Sequence, residues 1–242
     1  MDKNIENDVE LKNHDGIFIL YLNTDENRFN PTSVNKIHDA LDIVEAHKGP
    51  TALITVSTSP KIWSNGLDLD WMGDSAQGEA AILISDFIKL CGRLIVFPCP
   101  TIACISGHAF AGGCMFSFCH DYRFMVKGKG FICLPELDLN MNLPRGMSTV
   151  CQVKCNPEVF TELIYGKRFT AEEGVQNKIV HKACNKKTLF EQCFTFAKEK
   201  LDRGVNKKTL KELKYQAYHE CYEACQSGDL VVDVKPVLRA KI

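Results

Sequence analysis

Residues 107–121 read GHAFAGGCMFSFCHD, with Ala109, Ala111, Gly112 and Gly113 placed just before an apolar run that begins at Cys114, Met115 and Phe116. Glycine costs folding entropy and is normally kept where the backbone needs an unusual dihedral or another group comes close. Before this stretch lies TIACIS (101–106), a short apolar run that reads as a buried strand. The chain therefore leaves a strand, turns through small residues and enters a helix near Gly113. Backbone amides around Gly112 would then sit at the positive end of that helix, a place suited to holding an oxyanion.

Outward from this point the pattern is a regular alternation. GIFILYL (16–22) and TALITV (51–56) are apolar on both faces, as strands covered on two sides are. Between them Asn30 caps a helix with Pro31 at its first position, and Val34, Ile37, Leu41 and Val44 repeat at helical spacing until Gly49. A second apolar helix spans about 80–95 and stops before Pro98 and Pro100. Strand, helix, strand, helix, strand implies an α/β core.

Beyond about residue 156 the reading is mostly helical. Asn156 with Pro157 caps one helix, and Thr170 with Glu173 forms a capping box for another. Later helices are expected at 187–202 and 206–226, the second with Leu210, Leu213, Ala217 and Cys221 on one apolar stripe. These helices are expected to cover the core or to make subunit contacts. The organisation predicted is a core over 1–190 followed by a helical region over 191–242.

Composition narrows the function classes. The 242 residues are 45% hydrophobic and 24% charged with a net charge of −1, ordinary globular values that give no electrostatic case for nucleic acid or an anionic membrane surface. No apolar run approaches the ~20 residues of a membrane span. The polar start MDKNIENDVELKNHDG predicts no export leader, so the twelve cysteines are expected to be reduced. They contain no C-x-x-C pair, and Cys151/Cys155 and Cys221/Cys225 merely share helix faces, so no metal site is predicted.

A second turn matches the first. KIWSNGLDLDWM (61–72) follows strand 51–56 and carries Asn65 and Gly66, both tolerant of left-handed dihedrals, before another helical segment. Two strand-to-helix turns, each offering an amide, can bind one oxygen from two sides.

SNGLDL, GHAFAGGC, DYRFMV, LPELDL and GKRFTAEEGVQNKIV, in this order, resemble the enoyl-CoA hydratase/isomerase (crotonase) superfamily over most of the chain. The resemblance implies a spiral of ββα units with a helical C-terminal region, and a homotrimer or dimer of trimers. It assigns the amides of Leu67 and Gly112 to the thioester oxygen, and Ser64, Asn65, Gly66, Leu67, Asp68 and Leu69 to the coenzyme A portion of the substrate. No separate cofactor is implied. Hydratases of this superfamily carry two glutamates; here the first position is Met115 and the second is Glu136.

A hydratase needs carboxylates that orient a water, whereas moving a double bond needs one base that takes a proton at C2 and returns it at C4. The lone Glu136, with Met115 lining the pocket, resembles the Δ3,Δ2-enoyl-CoA isomerase branch of fatty-acid β-oxidation most closely. Two fixed amides would stabilise the enolate oxygen by about 3 kcal/mol each. The apolar neighbours Cys133, Leu134, Leu137 and Leu139 are expected to desolvate Glu136. His108 and His120 have no paired nucleophile, and Asp138 is read as structural. Two alternatives stay open: a hydratase, and a catalytically silent acyl-CoA-binding protein.

Where many relatives have glycine after the glutamate, this chain has Asn140, which still permits a left-handed turn. The last three residues, Ala240, Lys241 and Ile242, are small, basic and aliphatic, like the peroxisomal Ser-Lys-Leu address read by an import receptor. Peroxisomal residence is the expectation, with cytosol or mitochondrion as the alternative.

Overall fold

The computed structural model describes residues 8–228. In chain order the elements are β1 (Val9–His14), β2 (Ile17–Leu22), β3 (Arg28–Phe29), α1 (Pro31–Ala46), β4 (Ala52–Ser57), β5 (Ile62–Ser64), β6 (Gly66–Leu67), α2 (Leu69–Asp74), α3 (Glu79–Ile95), β7 (Thr101–Ile105), β8 (His108–Phe110), α4 (Gly112–Cys119), β9 (Tyr122–Val126), β10 (Ile132–Cys133), α5 (Arg145–Gln152), α6 (Pro157–Ile164), α7 (Ala171–Gln176), β11 (Lys182–Cys184), α8 (Leu189–Lys200), a 3-10 turn (Leu201–Gly204), α9 (Lys207–Ala217) and α10 (His219–Gln226).

One unit recurs. A long strand joins a six-stranded sheet ordered β1-β2-β4-β7-β9-β11, the next short strand leaves it, and a helix returns the chain. The short strands β5, β8 and β10 pair in a second, parallel sheet, and β3 pairs with β6. This is the expected spiral of ββα units. Apart from the β1–β2 hairpin, the large sheet is parallel.

Both faces of that sheet are covered, as its two-sided apolar strands require. Along β2, Phe18, Leu20 and Leu22 enter the main core with Val34 and Leu41 of α1, whereas Ile17 and Ile19 enter a second core closed by Leu189, Cys193 and Ala197 of α8. The capping readings hold in detail. Asn30 accepts from Ser33 N at 3.0 Å, Asn156 from Val159 N at 2.8 Å, and Thr170 with Glu173 forms the reciprocal box. All twelve cysteines are free thiols.

The final helix differs from the expectation. It breaks at Tyr218 into α9 and α10, and Leu213 is 63% exposed rather than packed; Ala217 is exposed too. Lys214 is buried in its stead, its ammonium donating to Phe97 O (2.8 Å), Cys99 O (2.9 Å) and Asp121 Oδ2 (2.6 Å). Three acceptors satisfy all three ammonium protons, so a charged residue can occupy the stripe. Cys221 does pack, together with Cys225, against the core.

Candidate active site

Two turns meet backbone to backbone. The first links β5 and β6, where Gly66 has φ +82°; the second links β8 and α4. A Cβ built on Gly66 would lie 2.6 Å from Gly112 N, and one on Gly113 would lie 2.2 Å from Ser64 O. No Cβ fits at Gly66 or Gly113, so these two glycines are required by the main chain of the facing turn.

The seam brings the main chain at Leu67 and Gly112 close together. Asp68 N donates to Phe29 O at 2.9 Å, so by the alternation of a strand the preceding Leu67 amide is not the one directed at β3. A Cβ built on Gly112 would lie 3.4 Å from Leu67 N. Gly112 opens α4, whose N-cap Ala111 supplies no side-chain acceptor to the first-turn amides. Ala111 itself holds φ +49°, ψ −124°, a conformation that costs a residue with a Cβ about 1–3 kcal/mol and that aims the following amide.

The third part arrives through β10. Ile132 pairs with Ala109 and Cys133 with Phe110, and Ala111 N donates to Cys133 O at 3.1 Å, so Glu136, three residues on, emerges beside the Ala111–Gly112 turn. Beyond it the chain folds back: Leu139 N donates to Pro135 O (3.1 Å) and Met141 N to Glu136 O (2.9 Å), with Asn140 left-handed at φ +52°.

These parts line one cavity of about 230 Å³, shared by Leu67, Gly112, Met115 and Glu136 with Asn65, Leu69 and a largely apolar wall. Glu136 is 7% exposed and its Oε2 finds no hydrogen-bond partner among the described residues. Burial raises its pKa to about 7, slightly opposed by a hydrogen bond from its own backbone. Its sequence neighbours contribute unevenly: Cys133 and Leu134 are buried, Leu139 edges the cavity, and Leu137 is 59% exposed. Desolvation therefore involves the cavity wall, Met115 included, as well as adjacent residues.

Residues 12–227 match the protein family described as enoyl-CoA hydratase/isomerase. The chain belongs to that family. It is 30% identical over 177 residues to Enoyl-CoA delta isomerase 1, peroxisomal, of Arabidopsis thaliana, covering 72% of this chain and 73% of that one. Enoyl-CoA delta isomerase 3 of the same plant is 29% identical over 181 residues, covering 72% and 76%. The crystal structure of an enoyl-CoA hydratase/isomerase family protein from Pseudomonas syringae superposes with a TM-score of 0.83 at 22% identity, over 97% of this chain and 98% of that one.

Within this family member the sequence-selected residues separate into two groups. Asn65, Leu67, Leu69, Gly112, Met115 and Glu136 line the cavity. Ser64 is fully buried, its hydroxyl donating to Asn27 O (2.7 Å) and accepting from Gly66 N (3.1 Å), so it shapes the turn from behind. Asp68 caps α2 by accepting from Trp71 N (3.1 Å) and faces a neighbouring hollow with Arg28 and Asn30. Of the two residues tolerant of left-handed dihedrals, Gly66 adopts one and Asn65 does not.

The histidines stand apart. His120 is buried between Thr55 Oγ1 (2.8 Å) and Phe116 O (2.9 Å), and burial lowers its pKa to about 3. His108 packs at a tilt against the rings of Phe110 and Phe131. Asp138 is exposed and does not line the cavity. Sequence reasoning missed Arg28, Ile84 and Met147, which the spiral brings to the cavity from β3, α3 and α5. Arg28 is paired with Glu26, and the β3–β6 pairing sets it opposite Gly66. A two-residue strand gives no periodicity from which that pairing is legible.

Proposed function

We propose that the protein is a Δ3,Δ2-enoyl-CoA isomerase using a single carboxylate. The observation that carries this reading is the composition of the cavity: among the described residues that line it Glu136 is the one carboxylate, and Met115, at the position where hydratases resembling this chain carry their first glutamate, supplies no second. The Glu136 carboxylate takes a proton from C2 of a 3-enoyl thioester. The C2–H electron pair becomes the C1=C2 π bond of a dienolate as the carbonyl π pair moves onto the oxygen, which accepts from the amides of Leu67 and Gly112. The same proton returns at C4, leaving the double bond between C2 and C3. Names of relatives as delta isomerases support the reading.

Enolate stabilisation is common to isomerisation and hydration, but water activation is not. The unmodified protein is expected to convert 3-enoyl-CoA to 2-enoyl-CoA at least tenfold faster than it hydrates 2-enoyl-CoA, both followed by absorbance of the conjugated thioester. Hydration as fast as isomerisation would overturn the single-base reading. Binding of acyl-CoA without either reaction would make the protein a silent relative.

Peroxisomal residence belongs to the same proposal, supported by the compartment in the name of one relative. Ala240, Lys241 and Ile242 lie outside the described residues. Deleting them is expected to move a fluorescently tagged protein, tagged at its N-terminus, from peroxisomes to cytosol. A full-length protein that is already cytosolic in its own cells refutes the address.

A further inference from the structure

The apolar wall of the cavity is unevenly buried. Leu69, Met141 and Leu143 are half-buried, while Ile84, Met115 and Met147, at 2%, 1% and 5% exposed, are the least exposed of its large apolar side chains. These three come from α3, α4 and α5, so the most buried part of the wall is a junction of helices rather than a loop.

That junction has no room to retreat. Gly146, beside Met147, is pressed on by two helices: a Cβ built there would lie 2.5 Å from Ile88 Cγ2 of α3, and 3.1 Å and 3.2 Å from Ala224 O and Cys225 Cα of α10. Cys225 is itself wedged, since a Cβ on Gly92 of α3 would lie 2.6 Å from its own Cβ. α5 is thus clamped between α3 and α10, and Met147 cannot swing back with its helix.

We propose that Met147 is the end-stop for the acyl chain, limiting the substrate to short- and medium-chain enoyl thioesters. The proposal rests on the isomerase reading above for the identity of the chain that enters. An apolar cavity of about 150 Å³ holds a benzene ring, so this one, at about 230 Å³, holds on the order of nine carbon-sized atoms. A longer chain meets Met147 before its thioester reaches the two amides. The stop is a flexible thioether, but its backbone is fixed, so it yields by rotamer change only.

The test measures kcat/KM on 3-enoyl-CoA thioesters from about six to about sixteen carbons, with dissociation constants for saturated acyl-CoAs of the same lengths by calorimetry. The unmodified protein is expected to lose at least tenfold in both measures between the optimum and the longest chain. Met147→Ala removes three side-chain heavy atoms and should move the optimum by about three carbons, raising the long-to-short ratio at least tenfold. Met147→Val, a smaller cavity change with less risk to folding, should move it in the same direction by less. Length-independent kcat/KM with robust isomerisation would overturn the end-stop and leave the isomerase reading intact. Absence of isomerisation at every length would overturn the isomerase reading instead, and the binding series would still decide the end-stop. An unmoved optimum in folded Met147→Ala and Met147→Val also refutes it.

Discussion

Glu136→Gln is expected to lower 3-enoyl-CoA isomerisation by 10²- to 10⁴-fold, about the range for removing a positioned general base, while acyl-CoA binding persists. Glutamine fills the same volume and cannot accept the C2 proton as a base of useful strength. The pH profile supplies a second measurement on the unmodified protein. With its pKa raised to about 7 by burial, Glu136 must lose its proton before it acts, so kcat/KM should rise through about pH 7 and level off above it.

The same displacement has a stability consequence of fixed sign. A carboxyl whose folded-state pKa lies above its ordinary 4.5 is bound more tightly to its proton in the fold than in the unfolded chain. The ionised form therefore costs the fold nothing below pH 4.5, an increasing amount between 4.5 and about 7, and about 3 kcal/mol above that range. Glu136→Gln should accordingly raise the unfolding free energy at about pH 8 and change it little at about pH 4.5, read by urea denaturation. Unchanged turnover in the folded variant would remove Glu136 from the mechanism, whatever its effect on stability.

What the sequence makes legible follows from which forces act locally. Strands β2, β4 and β7 announce themselves because burial on two faces demands unbroken apolar runs. Helix starts at Asn30, Asn156 and Thr170 are legible because a side-chain cap is a contact within three residues. The short strands β5, β8 and β10 are not, since two or three residues carry no period and their pairing depends on segments tens of residues away.

Long-range partners hide other features in the same way. Lys214 reads as a solvated residue until Phe97, Cys99 and Asp121 are folded beneath it. Of the site, the glycines of both turns and Glu136 are visible in the sequence, whereas the left-handed Ala111 is not, because an alanine gives no local reason for a positive φ. The wall at Met147 is equally silent. A methionine at helical spacing reads as core until α3 and α10 fix which way it faces.

The seam between the turns gives the other large effect. Gly66→Ala should reduce isomerisation by 10²- to 10³-fold, about the loss for one oxyanion donor, and Gly112→Ala should cost far less. At Gly66 the backbone is left-handed, and the new methyl would lie 2.6 Å from Gly112 N and 3.1 Å from Ala111 Cβ. The obstacle is main chain, which cannot rotate away, so the turns must separate and the amides no longer converge. At Gly112 the backbone is ordinary helix, and a methyl meets Gly66 Cα and Phe87 Cζ at 3.2 Å, relieved by a few tenths of an ångström. Gly112→Val adds two further methyls beside Leu67 N and should approach the Gly66→Ala loss. The left-handed alanine also costs about 1–2 kcal/mol of stability, so circular dichroism and acyl-CoA binding accompany the rates. Within about threefold of normal kcat/KM, a folded Gly66→Ala protein would mean that the two amides do not act on one oxygen. A loss in Gly112→Ala equal to that in Gly66→Ala would place the constraint at the head of α4 alone and not in the contact between the turns.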